Sequence, residues 1–145
     1  MISFFVPGQP GTKGSHRAFW NAKAGRAIVV NDSKKAAPWA SLVTLLAREA
    51  MAGAPLFDGP IEIAIAFHLP RPKSHYLRGK LRATAPSHAP TKPDGDKLER
   101  CTWDALTGVV FTDDARIVRW SGEKPYAIEG RTGAQITVGP VEGGR

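Results

Sequence analysis

A chain of 145 residues with 42% hydrophobic and 23% charged content carries enough apolar material for one folded domain, which excludes wholesale disorder and a fibrous repeat. Twenty Lys and Arg against thirteen Asp and Glu leave a net charge of +7, which points to a polyanionic partner, nucleic acid first, because clustered cations displace the counterions condensed on a phosphate backbone. No apolar run approaches the roughly 18 residues of a membrane span. The opening MISFFVPGQPG lacks the basic and cleavage-site features of a secretory signal, so a cytoplasmic location is expected, and Cys101, the only cysteine, leaves no internal disulfide or cysteine-rich zinc site.

Ile2 to Val6 reads as a short strand, ended by the turn formers Pro7-Gly8-Gln9-Pro10-Gly11. From Thr12 to Val30 the chain carries Lys13, Arg17, Lys23 and Arg26 without an acid, a segment suited to phosphate contact, and closes in a strand at Ala27–Val30. Asn31, Asp32 and Ser33 are N-cap candidates for a helix starting between Ser33 and Pro38. Trp39, Leu42, Val43 and Leu46 form its apolar stripe and Gly53 its stop. Ile61 to His68 alternates Ile61, Ile63, Ile65 and Phe67 with smaller or polar residues, the pattern of a half-buried strand. The four histidines show no metal-ligand spacing and are read as structural or surface groups.

A loop at about 69–93 follows, punctuated by Pro70, Pro72, Pro86, Pro90 and Pro93 and carrying Arg71, Lys73, Arg78, Lys80, Arg82 and Lys92 with no acid. Its length and charge fit an arm that tracks phosphates, with His75 and Tyr76 placed to stack on a base; a solvated flap is the plain alternative. Leu98, Cys101, Thr102, Ala105 and Leu106 then mark the buried stripe of a second helix, capped by Asp94 or Asp96 and ended by Gly108, with Lys97, Arg100 and Asp104 on its charged face. Ala115–Glu123 and Ala134–Gly139 are the closing strands. The expected fold is an α+β single domain over 1–145, a small mixed sheet covered on one side by two helices.

Residues 92–114 gather five aspartates, Asp94, Asp96, Asp104, Asp113 and Asp114, into this basic chain. Asp94 and Asp96 lie two apart where an extended approach becomes a helix, whose N-terminus favours ionised carboxylates. Such oxygens suit a hard cation, since Mg²⁺ is held by one or two carboxylates, waters and substrate phosphate oxygens. If the chain brings Asp114 back to Asp94 and Asp96, three carboxylates share one basic cleft. Otherwise one of the leading pair caps the helix and Asp113-Asp114 makes a turn.

The blocks Pro93-Asp94-Gly95-Asp96, Trp103-Asp104-Ala105-Leu106-Thr107-Gly108 and Phe111-Thr112-Asp113-Asp114, with Arg71-Pro72-Lys73-Ser74-His75-Tyr76 and Pro7-Gly8-Gln9-Pro10 upstream, resemble the RusA family of Holliday-junction resolvases. The resemblance spans most of the chain and is densest over 92–120. It implies a homodimeric, magnesium-dependent endodeoxyribonuclease of recombination and repair, with Mn²⁺ as a substitute ion and four-way junctions as substrate. It implies Asp94, Asp96 and Asp114 as metal ligands. The family's catalytic lysine falls on Arg100, and Lys97 stands where asparagine is common; arginine can clamp a phosphate but is a poor proton donor, and Lys97 is the other source of an ammonium. Lys13, Arg17, Arg71, Lys73, Arg78, Lys80 and Lys92 are the expected DNA contacts. A nuclease acting on forks or other branched DNA and a non-cutting DNA-binding accessory protein are the alternatives.

Overall fold

The computed structural model describes residues 1–12, 16–23, 25–31 and 36–141, with backbone alone for 16–21 and 26–31. Lys13 and the helix-cap candidates Asp32 and Ser33 lie outside the described residues, as does the side chain of Arg17. Strand β1 (Ile2–Pro7) is followed by β2 (His16–Asn21) and β3 (Arg26–Asn31), which pair with each other in an antiparallel hairpin. The strand expected at Ala27–Val30 is thus present, but its partner is not legible in the sequence, since His16-Arg17-Ala18-Phe19-Trp20-Asn21 lacks period-two alternation.

Helix α1 (Ala36–Met51) holds Pro38 in its first turn, where a missing N–H costs nothing. It buries Trp39, Val43, Ala47 and Met51, a row of i, i+4 neighbours, and Leu42 and Leu46 pack partly beside them. The helix stops where Ala52 and Gly53 adopt positive φ, 49° and 80°. Strand β4 (Ile61–His68) then buries Ile61, Ile63, Ile65 and Phe67 on one face, as its alternation dictates.

The segment expected as an open loop holds structure of its own. A 3₁₀ turn at Lys73–His75 leads into a small hairpin of β5 (Tyr76–Leu77) and β6 (Lys80–Leu81). Helix α2 (Gly95–Leu106) follows, then a 3₁₀ turn at Asp114–Arg116, β7 (Ile117–Glu123) and β8 (Gly133–Pro140). The strand read as starting at Ala115 starts at Ile117, because the side chain of Asp113 accepts a 2.8 Å hydrogen bond from the Ala115 N–H and closes the intervening turn.

The main sheet has the order β1-β8-β4-β7, antiparallel except for the β4–β7 pair, which is parallel. Parallel neighbours need a long crossover, and α2 supplies it. The fold is therefore α+β, with a mixed four-stranded sheet and two helices packed on it. One core joins Val6, Ile136 and Val138 to Val43, Leu98, Leu106 and Phe111, each 0% exposed and each contributing about 1.5–3 kcal/mol by burial. Cys101 is buried in it, as expected. The helices are also joined by polar bonds: Trp39 Nε1 donates to buried Thr102 Oγ1 at 3.1 Å, and Thr44 Oγ1 donates to Ala105 O at 2.9 Å. Among the described residues no helix is long and apolar enough to cross a membrane.

Candidate active site

Asp94 occupies the N-cap position of α2 with extended backbone, φ −68° and ψ 135°, yet its side chain makes no capping hydrogen bond. Its carboxylate instead faces the Lys97 ammonium at 3.6 Å, an exposed i, i+3 pair. Asp96 is exposed in the first turn, where the helix dipole favours negative charge. Arg100, one helical turn beyond Asp96, is exposed, and no hydrogen bond or ion pair engages it among the described residues. Lys97 and Arg100 therefore differ: the first is tied to a candidate ligand, and the second presents a guanidinium to solvent.

Two residues that sequence reasoning passed over support this end of the helix. Lys124, just past β7, donates its ammonium to Thr91 O and Pro93 O, both at 2.9 Å, and so grips the backbone that delivers Asp94. Glu99 is half-buried against Gly122 of β7, where an added Cβ would meet its carboxylate and displace it. Desolvation, and then the negative charge of Asp96, hold the Glu99 carboxyl above its ordinary pKa. The i, i+3 spacing of Asp96 and Glu99 was a signal in the sequence; the strand glycine opposite was not.

The second acidic group sits on the turn before β7. Asp113 is held below its usual pKa by the Ala115 N–H and by a hydrogen bond from Asp114. Asp114 is pushed up, first by that shared bond and then by desolvation and the charges of Asp113 and Asp104. Of the pair, Asp113 is committed to the turn and Asp114 carries the more basic oxygens. The turn is anchored from behind: Thr112 Oγ1 donates to Asp58 Oδ1 at 2.8 Å, and Arg116 Nη2 reaches the same oxygen at 3.0 Å.

These two acidic groups stand at opposite ends of α2. The helix runs antiparallel to β7: Lys124 meets Pro93, Glu99 meets Gly122, Trp103 stacks edge-on against Trp120 at 5.9 Å, and Asp104 lies near Asp114. Twelve helical residues at about 1.5 Å each span about 18 Å. A crossover helix returns the chain to the start of the parallel strand, so Asp114 does not come back to Asp94 and Asp96 within one chain. Among the described residues, no group of three or more His, Cys, Asp or Glu side chains is placed to hold a metal ion. Asp94 and Asp96 by themselves fit magnesium in the open form it commonly takes, one or two carboxylates with water and substrate phosphate in the remaining positions.

The basic residues divide as well. The Arg71 guanidinium lies 4.6 Å over the Tyr126 ring, and Arg71 Nη1 donates to Pro86 O at 2.7 Å; it joins the two ends of the 69–93 segment rather than pointing outward. His75, expected to stack on a base, stacks edge-on against buried Tyr126 at 5.1 Å. Lys73, Arg78, Lys80 and Lys92 are exposed, as a phosphate-contacting set requires.

Comparison with known proteins bears on this arrangement. An uncharacterised protein of Bacillus subtilis (strain 168), YqaN, is 27% identical over 138 residues, covering 93% of this chain and 94% of the relative. Residues 7–138, which include both acidic groups, the 69–93 segment and most of the main sheet, match the family described as endodeoxyribonuclease RusA. The chain belongs to the RusA endodeoxyribonuclease family.

Proposed function

We propose that this protein is a magnesium-dependent endonuclease that resolves four-way DNA junctions by paired phosphodiester hydrolysis in recombination and repair, acting as a homodimer. The observation that carries this reading is the α2 N-terminus. Two carboxylates two residues apart stand where a helix dipole favours anions, one of them at a cap position without a capping bond, on a backbone gripped by Lys124. In this reading Asp94, Asp96 and Asp114 are the metal-binding carboxylates and Lys97 and Arg100 the cationic partners of the scissile phosphate.

Hydrolysis forms a bond from a water oxygen to phosphorus and breaks the bond to the leaving sugar oxygen, while the water loses a proton and the leaving oxygen gains one. Magnesium, when bound, neutralises the non-bridging oxygens and acidifies the attacking water. Asp94 and Asp96 supply the anionic oxygens for the ion. Arg100, exposed one turn away, stabilises charge developing on the phosphate without donating its proton, and Lys97, held at Asp94, is the nearer ammonium.

Phosphate contact falls to Lys73, Arg78, Lys80 and Lys92 on the long segment, with Lys13 and Arg17 from the N-terminal basic tract. A homodimer supplies two active sites related by a two-fold axis, as symmetric cutting of a two-fold junction requires. In its support, β7 is an edge strand whose Val118 and Trp120 are 55% and 58% exposed. The test is cleavage of end-labelled four-way junction, fork and linear duplex in Mg²⁺, each against Asp96→Asn. Paired symmetric cuts in the junction alone are expected, lost in the variant while binding persists. Equal cutting of forks would make it a general branched-DNA nuclease, and binding without cutting an accessory protein.

A further inference from the structure

The β5–β6 hairpin has features that phosphate contact alone does not explain. Its turn is Arg78-Gly79, both at positive φ, 51° and 77°, the tight two-residue form that matches strand twist. The Arg82 N–H donates to His75 O at 2.8 Å, and the Arg71, His75 and Tyr126 stack fixes the base of the hairpin to buried structure. This firmly seated element exposes Tyr76 at 42% and Leu81 at 51%, paired directly across the hairpin and so on one face, and Leu77 at 56% on the other. Lys73, Arg78, Lys80 and Arg82 flank them along the chain, all exposed, and residues 69–93 contain no acid.

An exposed apolar cluster marks a contact surface, and the cations around it specify a polyanion. A self-association through this patch, with the same surface on both copies, brings two rims of the same cations together with no acid between them, which is repulsive. Intact duplex offers phosphates but hides its base faces. Apolar base faces beside phosphates are available where stacking is interrupted, and apolar wedges against unstacked steps are an established mode of DNA recognition.

We propose that the β5–β6 hairpin is a branch-reading wedge: its cations hold phosphates while the paired Tyr76 and Leu81 lie against unstacked base faces at the crossover of branched DNA. This rests on the reading of branched DNA as the substrate.

The experiment uses a four-way junction with 2-aminopurine at the crossover and a linear duplex with the same base in mid-arm, with Ca²⁺ replacing Mg²⁺ so that binding is observed without cutting. The wild-type protein is expected to raise crossover emission and leave duplex emission unchanged. The variant Tyr76→Ser/Leu81→Ser is expected to lose that rise and to bind the junction about tenfold more weakly, as loss of a base–aromatic stack does, at unchanged duplex affinity. Arg78→Ala/Lys80→Ala is expected to weaken both DNAs alike. Leu81→Ser alone, with a smaller effect of the same kind, serves if the double variant is unfolded by circular dichroism. The wedge is overturned if the apolar variant keeps the emission rise, if it loses junction and duplex affinity equally, or if sedimentation shows that it has changed from two copies to one. Wild-type emission changes without any cutting in Mg²⁺ overturn the nuclease reading and leave the wedge standing; paired cutting without an emission change does the reverse; no DNA binding overturns both.

Discussion

Arg100 and Lys97 lie three residues apart on α2, but the 3.6 Å pair with Asp94 gives Lys97 a different task from the exposed guanidinium. Arg100→Ala is therefore expected to lower single-turnover cleavage of pre-bound junction about 10²-fold, and Arg100→Lys to keep most of it, since one oriented donor to a transition state is worth about that much. Near-wild-type rates for Arg100→Ala, with damage in Lys97→Ala, would transfer the role to Lys97. Lys124→Met removes both carbonyl bonds at Thr91 and Pro93. It is expected to raise the Mg²⁺ midpoint for cutting and to speed metal-free amide exchange at Gly95–Leu98 at least about tenfold while exchange in β4 and β8 stays unchanged, because even one charged hydrogen bond is worth about 1.5–3 kcal/mol. Glu99 gives a pH dependence of definite sign. Its folded-state pKa is raised above 4.5 by desolvation and then by Asp96, so the ionised form opposes folding, with no effect at pH below the unfolded value and the full effect above the folded one. Glu99→Gln in chelator-containing buffer is expected to raise the melting temperature at pH 7, with the gain vanishing below about pH 4. An equal gain at both pH values would trace the effect to packing rather than charge.

At the scale of elements, the 69–93 segment combines two kinds of cation. Arg71 closes the segment on itself through Tyr126 and Pro86 O, whereas Lys73, Arg78 and Lys80 are exposed along the turn and hairpin. Alanine at Arg71 is expected to accelerate proteolysis within 69–93, cation–π contacts at such sites being worth about 0.5–1 kcal/mol, and to leave the salt dependence of DNA binding little changed. Alanine at Lys73, Arg78 and Lys80 together is expected to flatten the log–log salt slope by about 0.9 for each phosphate that is no longer neutralised. A salt slope that responds to Arg71 and ignores the other three would reverse the assignment. The same division explains why a long, proline-rich stretch is ordered here. Both of its ends are stitched to 124–127 by backbone bonds, Leu69 N–H to Pro125 O and Ala89 N–H to Lys124 O among them.

Across the whole molecule, the antiparallel course of α2 along β7 separates Asp114 from Asp94 and Asp96 by about a helix length. For all three to serve one ion, Asp114 must come from the second copy of a dimer. Asp96→Asn and Asp114→Asn homodimers are each expected to be inactive, and a co-refolded equal mixture to recover nicking at about a quarter of the wild-type site number, because half of the dimers are mixed and each holds one intact composite site. A mixture as inactive as its parents would make Asp114 act within its own chain or not as a ligand of that ion. Sedimentation of the mixture checks that two copies are present.

Local chemistry by itself determined a good part of this protein. The alternation of Ile61, Ile63, Ile65 and Phe67, the stripe of Trp39 and Val43, and the stripe of Leu98, Cys101 and Leu106 each specify one element and its buried face, because burial repeats with the period of the backbone. The motif blocks around Asp94, Asp96 and Asp114 carried the family, and with it the class of chemistry. The β2 strand, the β5–β6 hairpin and the 3₁₀ turn before β7 were not legible, since their residues alternate weakly and tertiary or turn hydrogen bonds hold them. Nor did residue spacing show that Lys124 grips Pro93 O, that Glu99 sits against Gly122 or that Arg71 folds back on Tyr126, since each of these pairs is distant in sequence. Only the tertiary structure decided where the aspartates stand relative to one another. A helix that links parallel strands must run against them, so residues before and after it, close as they are in sequence, end at opposite ends of the sheet.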